Sequence, residues 1–286
     1  MKGLIALDID GTITADHNDL APDVATFLEK LSLDGWLLMF ITGRPFLWGY
    51  EVLQHLHFPY YFAVQNGAII LQMPSKKTVL KKYLDQSVLP AMDLICADED
   101  SDYVIYTGFE NDDICYYRPQ KFAPELLKYV QNRFTVLKEK WIPLDSYDKL
   151  PVKEFASVKC FGNEKSAKRI CDKIEKMIGL HAPLNKDPFD RTPMYVVQAT
   201  HQEVSKGYAL LDMKKLLNYQ GVTIAAGDDN NDRSMLKVAD IRVVMSTAPK
   251  DMLETAHVIA PPATEKGIIK GLQQAITLAS IAGERK

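Results

Sequence analysis

Along the chain, unbroken apolar runs alternate with segments whose apolar residues recur at helical spacing. Residues 4–7 (LIAL) predict a strand buried on both faces. Ala21-Pro22-Asp23 then opens a helix, with Pro22 in its first turn and Val24, Phe27, Leu28 and Leu31 on one side. Gly35 ends it. Residues 37–41 (LLMFI) predict a second buried strand, 46–56 a helix and 60–64 a third strand. Gln65-Asn66-Gly67-Ala68, between two apolar runs, predicts a hairpin. Strands alternating with helices in this way predict a parallel sheet covered on both faces.

From about Met73 to Thr200 the pattern changes: the text is more polar and strands dominate, at 103–106, 157–161 and 194–197. One clear amphipathic helix interrupts them, at 166–178. After Lys206 the alternation returns, with helices at 210–217 and 264–282 and strands at 222–226, 241–245 and 258–259. The expected fold is α/β: a Rossmann-like three-layer core with a parallel sheet over 1–74 and 201–286, interrupted by an inserted α+β domain over 75–200. At 286 residues the chain is long enough for one large domain or two of ordinary size.

A formal charge of −3 argues against a general affinity for nucleic acid or an anionic membrane. Cys96, Cys115, Cys160 and Cys171 form no CxxC pair and are expected as free thiols in a reducing compartment. The first apolar run, Gly3 to Leu7, is shorter than the roughly 7–15 residues of a signal-peptide core. No run approaches the ~18 apolar residues of a membrane helix. A cytoplasmic location is expected.

Four spots fall just past the end of a core strand or open the helix after it: Asp8/Asp10, Thr42, Lys206 and the run Gly227-Asp228-Asp229-Asn230-Asn231-Asp232. In open α/β sheets the ligand crevice lies outside the carboxyl ends of the strands, where such residues converge. Carboxylates without histidine or thiolate suit Mg²⁺, which is commonly shared with substrate phosphate. A lysine and a threonine are suitable donors to phosphoryl oxygens. One carboxylate can attack phosphorus, and an acid two residues on can protonate the leaving oxygen and then activate water.

ALDIDGT, ITGR, the Lys206-Gly207 pair and GDDNND resemble, in order and spacing, the four motifs of the haloacid dehalogenase-like superfamily of phosphohydrolases. The Asn66-Gly67-Ala68 turn and the long insert resemble its Cof-type branch, in which the insert is an α/β cap. The resemblance implies that Asp8 is the nucleophile and that Asp10 is the general acid/base, lending its backbone carbonyl to Mg²⁺. It implies that Thr42, with Gly43, Lys206 and Asn231, binds the phosphoryl group, and that Asp228 completes the metal ligands Asp8 and Asp10. Asp232 would hold the metal's surroundings or orient Lys206. Arg44 would bind phosphate or position its loop, and Asn66 would play a supporting part. The presence of Asp10 favours phosphatase chemistry over the dehalogenase and phosphonatase branches.

The implied substrate is a small phosphorylated metabolite (a sugar phosphate, nucleotide or phosphorylated cofactor), with no membrane or nucleic-acid partner and the oligomeric state open. A phosphomutase would use the same aspartyl-phosphate, and a signalling or binding protein would hold it without turnover. The acidic runs Asp98-Glu99-Asp100 and Asp112-Asp113 are expected as solvated loops, and Lys76-Lys77 and Lys81-Lys82 as a solvated face. Lys159 and Arg191 read as ordinary exposed charges, and Trp36, Trp48 and Trp141 as packing.

Overall fold

A computed structural model describes residues 2–15, 19–187 and 194–283, so Arg191 lies outside the described residues. Internal contacts divide the chain into two units: Met1–Arg44, Gly49–Leu80 and Ser205–Lys286 form one, Pro45–Trp48 and Lys81–Val204 the other.

The first unit is built on an eight-stranded sheet. In spatial order its strands are Val258–Ala260, Ile241–Met245, Thr223–Gly227, Gly3–Leu7, Trp36–Ile41, Tyr60–Val64, Ile69–Met73 and Lys77–Lys81. The first six run parallel, and Ile69–Met73 returns antiparallel to Tyr60–Val64. Gly3–Leu7 is buried at every position because it is flanked by a strand on each side and covered on both faces. The register sets Leu7 level with both Ala226 and Phe40. The ends of three central strands therefore line up at one edge, and Asp8, Thr42 and Asp228 follow just beyond it.

The expected hairpin is present, joined through the turn Gln65–Gly67. Gln65, Asn66 and Gly67 all take positive φ there, and a Cβ on Gly67 would lie 2.7 Å from that of Ala209. Glycine is thus the residue that lets the turn pack on the helix Lys206–Leu216. Because Lys77–Lys81 joins the core sheet, the division between the units falls at Leu80/Lys81, against the 75 expected from the change in polarity.

In the second unit, a six-stranded sheet runs Leu184–Asp187, Met194–Ala199, Ser157–Gly162, Tyr103–Tyr106, Cys115–Tyr117 and Trp141–Pro143. Side chains alternate between its faces. Val158 and Cys160 enter a core shared with the helices Leu89–Cys96 and Glu164–Ile178. Tyr106, Cys115, Trp141 and Phe161 enter a second core with residues of the helix Pro124–Val136. The helix at 164 starts where Asn163 accepts a hydrogen bond from the Ser166 amide, and it stops at Gly179, φ +65°. All four cysteines are free thiols.

Three expected solvated charges are not solvated. Glu99 is half-buried, with its carboxylate covered by Arg169 and Lys173. Asp113 is 6% exposed and Lys159 only 3%. Lys159 sits on a strand whose every residue is buried, and its Nζ lies 4.2 Å from the centre of the Tyr106 ring. Burial and the Arg133 charge bring its pKa down to about 8, against the opposing pull of Glu139.

Candidate active site

Asp8 follows a strand of five buried residues and is itself buried. The chain then leaves the sheet in a tight turn: the Ile13 and Thr14 amides both donate to the Ile9 carbonyl, and the Gly11 amide donates to that of Thr14. Gly11 has φ +75°, and a Cβ on it would lie 2.2 Å from Asp228 Oδ2. Only glycine lets this turn pass against Asp228. Thr12 donates to Asp228 Oδ1 at 3.3 Å, tying the turn to the loop after Thr223–Gly227.

Lys206 is the first residue of the helix Lys206–Leu216, which Ser205 caps by accepting from the Tyr208 amide. Its side chain is among the largest that are fully buried. Its Nζ donates to Asp8 Oδ1 at 2.5 Å and to Asp232 Oδ1 at 2.6 Å. Asp232 Oδ2 accepts from the amides of Asp228 and Asp229, at 2.9 and 3.0 Å. One carboxylate thus fixes both the ammonium and the loop carrying Asp228. Gly207 packs against the Ser234 carbonyl, where a Cβ would come within 2.5 Å.

Thr42 continues the strand Trp36–Ile41, its amide donating to the Ala63 carbonyl. Its hydroxyl accepts from the Arg44 amide at 3.1 Å, and its carbonyl from the Asn66 amide. Arg44 grips Asp10 with two nitrogens: Nε donates to Oδ2 at 2.8 Å and Nη2 donates to Oδ1. Such a fork fixes the carboxylate's plane as well as its place. Asn66 is buried, and neither polar atom of its side chain has a hydrogen-bond partner among the described residues.

Carboxylate oxygens of Asp8, Asp228 and Asp232 lie within 4.8 Å of one another around the one lysine. Burial, then the Asp232 charge, raises the Asp8 pKa well above the carboxylate range, and Lys206 only partly offsets this. The same two causes push Asp228 up to about 7. Burial disfavours the Lys206 charge, but Asp232 and Asp8 outweigh it and raise its pKa. The acids therefore outnumber the cation that serves them, and all donors are oxygens. That donor set fits a hard divalent ion such as Mg²⁺.

A family model for haloacid dehalogenase-like hydrolases matches residues 5–272. The chain belongs to this family. Phosphatase YwpJ of Bacillus subtilis (strain 168) is 25% identical over 291 residues, which cover 93% of this chain and 96% of that protein. A haloacid dehalogenase-like hydrolase of Bacteroides thetaiotaomicron has a similar structure, with TM-score 0.76 and 19% identity over 96% of this chain and 99% of that one. The sugar phosphatase BT4131 aligns with TM-score 0.73 and 21% identity over 96% and 98% of the two chains. The enzyme is a phosphatase of the Cof-type branch, and no helix among its described residues is long and apolar enough to cross a membrane.

In this hydrolase the first unit brings Asp8, Thr12, Lys206, Asp228 and Asp232 into one linked cluster, and Asp10, Thr42, Arg44 and Asn66 into a second. Gly43 lies between Thr42 and Arg44, and Asn231 is half-buried on the turn Asn230–Asp232. The Lys206–Asp232 contact is one of the two parts the resemblance implied for Asp232. Its hold on the Asp228 and Asp229 amides and the Arg44–Asp10 fork went unread in the sequence, since each joins residues through side-chain geometry alone.

Proposed function

We propose that this phosphatase hydrolyses small phosphate monoesters with Mg²⁺ through an aspartyl-phosphate on Asp8. The observation that carries the reading is the Lys206 ammonium, held at 2.5 Å from Asp8 and 2.6 Å from Asp232 with Asp228 beside them. In the first step a carboxylate oxygen of Asp8 forms a bond to phosphorus while the ester P–O bond breaks, and Asp10 gives its proton to the departing alkoxide. In the second, Asp10 takes a proton from water, whose oxygen attacks phosphorus and frees Asp8 and inorganic phosphate.

Thr42, with Gly43 and Asn231, would bind the phosphoryl oxygens, and Lys206 would hold their charge. Arg44 keeps the Asp10 carboxylate oriented between turnovers. Asp8, Asp228 and the Asp10 carbonyl would hold Mg²⁺, which when bound supplies positive charge to the phosphoryl oxygens. Asp232 would keep Lys206 and the Asp228 loop in place.

The test is phosphate release from a panel of sugar phosphates, nucleotides and phosphorylated cofactors, with Mg²⁺ and with chelator, for wild type and Asp8→Asn. A solved relative's name, sugar phosphatase, puts sugar phosphates first. Metal-dependent release that vanishes in the variant supports the proposal, and an active variant sinks it. Isomerised sugar phosphate in place of free phosphate would identify a mutase.

A further inference from the structure

Within the second unit, Asp113 holds the short segment Pro45–Trp48, which leads directly from the loop Thr42-Gly43-Arg44 into the helix Phe46–Leu53. Its Oδ2 accepts from the Leu47 amide at 2.6 Å, and the Phe46 amide also stabilises its charge. The ring of Phe46 meets that of Phe109 edge-on, with centroids 4.6 Å apart. These contacts give the first amides of the helix a partner that the helix itself cannot provide.

The loop that presents Asp113 is shaped for the purpose. Gly108 turns at φ +95°, where a Cβ would lie 2.2 Å from the Tyr83 hydroxyl, and Asp112 and Asp113 both take left-handed backbone conformations. Thr107 pins the loop by donating to the Ile114 carbonyl at 2.7 Å, and the Asp113 amide donates back to Gly108. The result is a buried carboxylate whose Oδ1 has no hydrogen-bond partner among the described residues. Leaving a carboxylate oxygen buried and unpaired is costly, so this arrangement is a poor device for stability alone.

In the first unit the loop 42–44 is anchored by the Asn66 amide on the Thr42 carbonyl, the Gln65 amide on the Arg44 carbonyl, and the Arg44 fork on Asp10. Its remaining end is the peptide running into residues 45–47. We propose that Asp113 is a positioning residue for the phosphatase reaction: it fixes the first turn after Arg44, and through that turn the placement of Thr42 and Arg44. This rests on the phosphoryl-binding role given to that loop above.

Burial pushes the Asp113 pKa up to about 6, against the helping Leu47 amide; Glu139 raises it further, and Lys159 and the Phe46 amide lower it. Tyr83 also faces it, and residues 45–48 bring no charged group. The carboxylate therefore gains a proton, and loses its strength as an acceptor, as pH falls through about 6.

The test combines amide NMR on ¹⁵N-leucine-labelled protein with steady-state kinetics from pH 5 to 8, for wild type, Asp113→Asn and Asp113→Ala. In wild type the Leu47 amide resonance should shift with a midpoint near pH 6, and in Asp113→Asn it should stay flat. The kcat should fall roughly tenfold in Asp113→Ala and by less in Asp113→Asn, with KM moved less than about twofold. Asp113→Asn should melt no lower than wild type at pH 7.5, which separates positioning from a merely structural part. A Leu47 resonance that ignores pH, or variants with wild-type kcat and pH profile, would overturn the inference. A Leu47 titration in a protein that hydrolyses nothing would instead overturn the proposed function and leave the contact standing.

Discussion

Two buried clusters of charge show how differently the same chemistry can be spent. In the second unit, Arg133 meets Asp187 at 2.8 Å and Glu139 at 3.3 Å, and Lys159 lies within electrostatic reach of both acids. Among the described residues these two cations face these two anions, with Asp113 also within electrostatic reach of Glu139 and Lys159, and Tyr129, Tyr106 and Trp141 donate to the carboxylates. Among the described residues of the first unit, Asp8, Asp228 and Asp232 gather around the single ammonium of Lys206. Three carboxyl groups share one ammonium, and burial with the Asp232 charge holds the pKa values of Asp8 and Asp228 up, so the place lacks the positive charge needed for all three to ionise. A balanced cluster is complete as it folds, whereas an unbalanced one is poised for a cation and for chemistry.

The sharpest way to break this contrast is to remove one member from each side. Asp8→Asn should lower the rate of phosphate release by about 10³-fold or more. It should not lower the melting temperature of the metal-free protein, because burial and Asp232 already disfavour the Asp8 charge. Arg133→Met should do the reverse to stability. It takes the guanidinium away from two buried carboxylates, Glu139 and Asp187, and should cost about 3–5 kcal/mol in denaturant unfolding.

Lys159 sharpens the comparison from within the balanced cluster. The unfolded chain holds this proton up to its ordinary pKa of 10.5, the folded one only to about 8. Stability should therefore rise as pH climbs through this window, by on the order of 3 kcal/mol from this residue. Below about pH 8 the penalty is present in full. Lys159→Met should flatten that slope, as read by urea unfolding at several pH values.

The smallest effect should come from Arg44. Arg44→Lys keeps a charge near Asp10 but loses the fork, and kcat should drop by roughly tenfold. A wild-type rate in this variant would show that Asp10 does not depend on the fork.

The contrast also explains what could be read in the chain beforehand. Asp8, Thr42, Lys206 and Asp228 each adjoin an unambiguous apolar run or helix start, so the topology of a parallel sheet was enough to gather them. The strand Ser157–Gly162 was legible too, but not the burial of Lys159, because a lysine between apolar neighbours looks the same whether its outer face is wet or covered. Asp112-Asp113 reads as a solvated pair, and only the left-handed turn at both residues folds Asp113 inward. The helices Leu89–Cys96 and Pro124–Val136 escaped notice for another reason. The first is eight residues long, and the second buries only Val130 and Arg133, so an apolar stripe barely registers. The Arg44–Asp10 fork spans 34 residues and two strand ends, a distance over which periodicity carries no information.

The acids around Lys206 are a donor set that fits a divalent cation. Calorimetric titration of Mg²⁺ into chelator-treated wild type and Asp228→Asn tests that fit most directly. One Mg²⁺ per chain in wild type, with affinity at least about tenfold weaker in the variant, is the predicted result. Absence of binding to the folded wild type, or equal binding by both proteins, would contradict it.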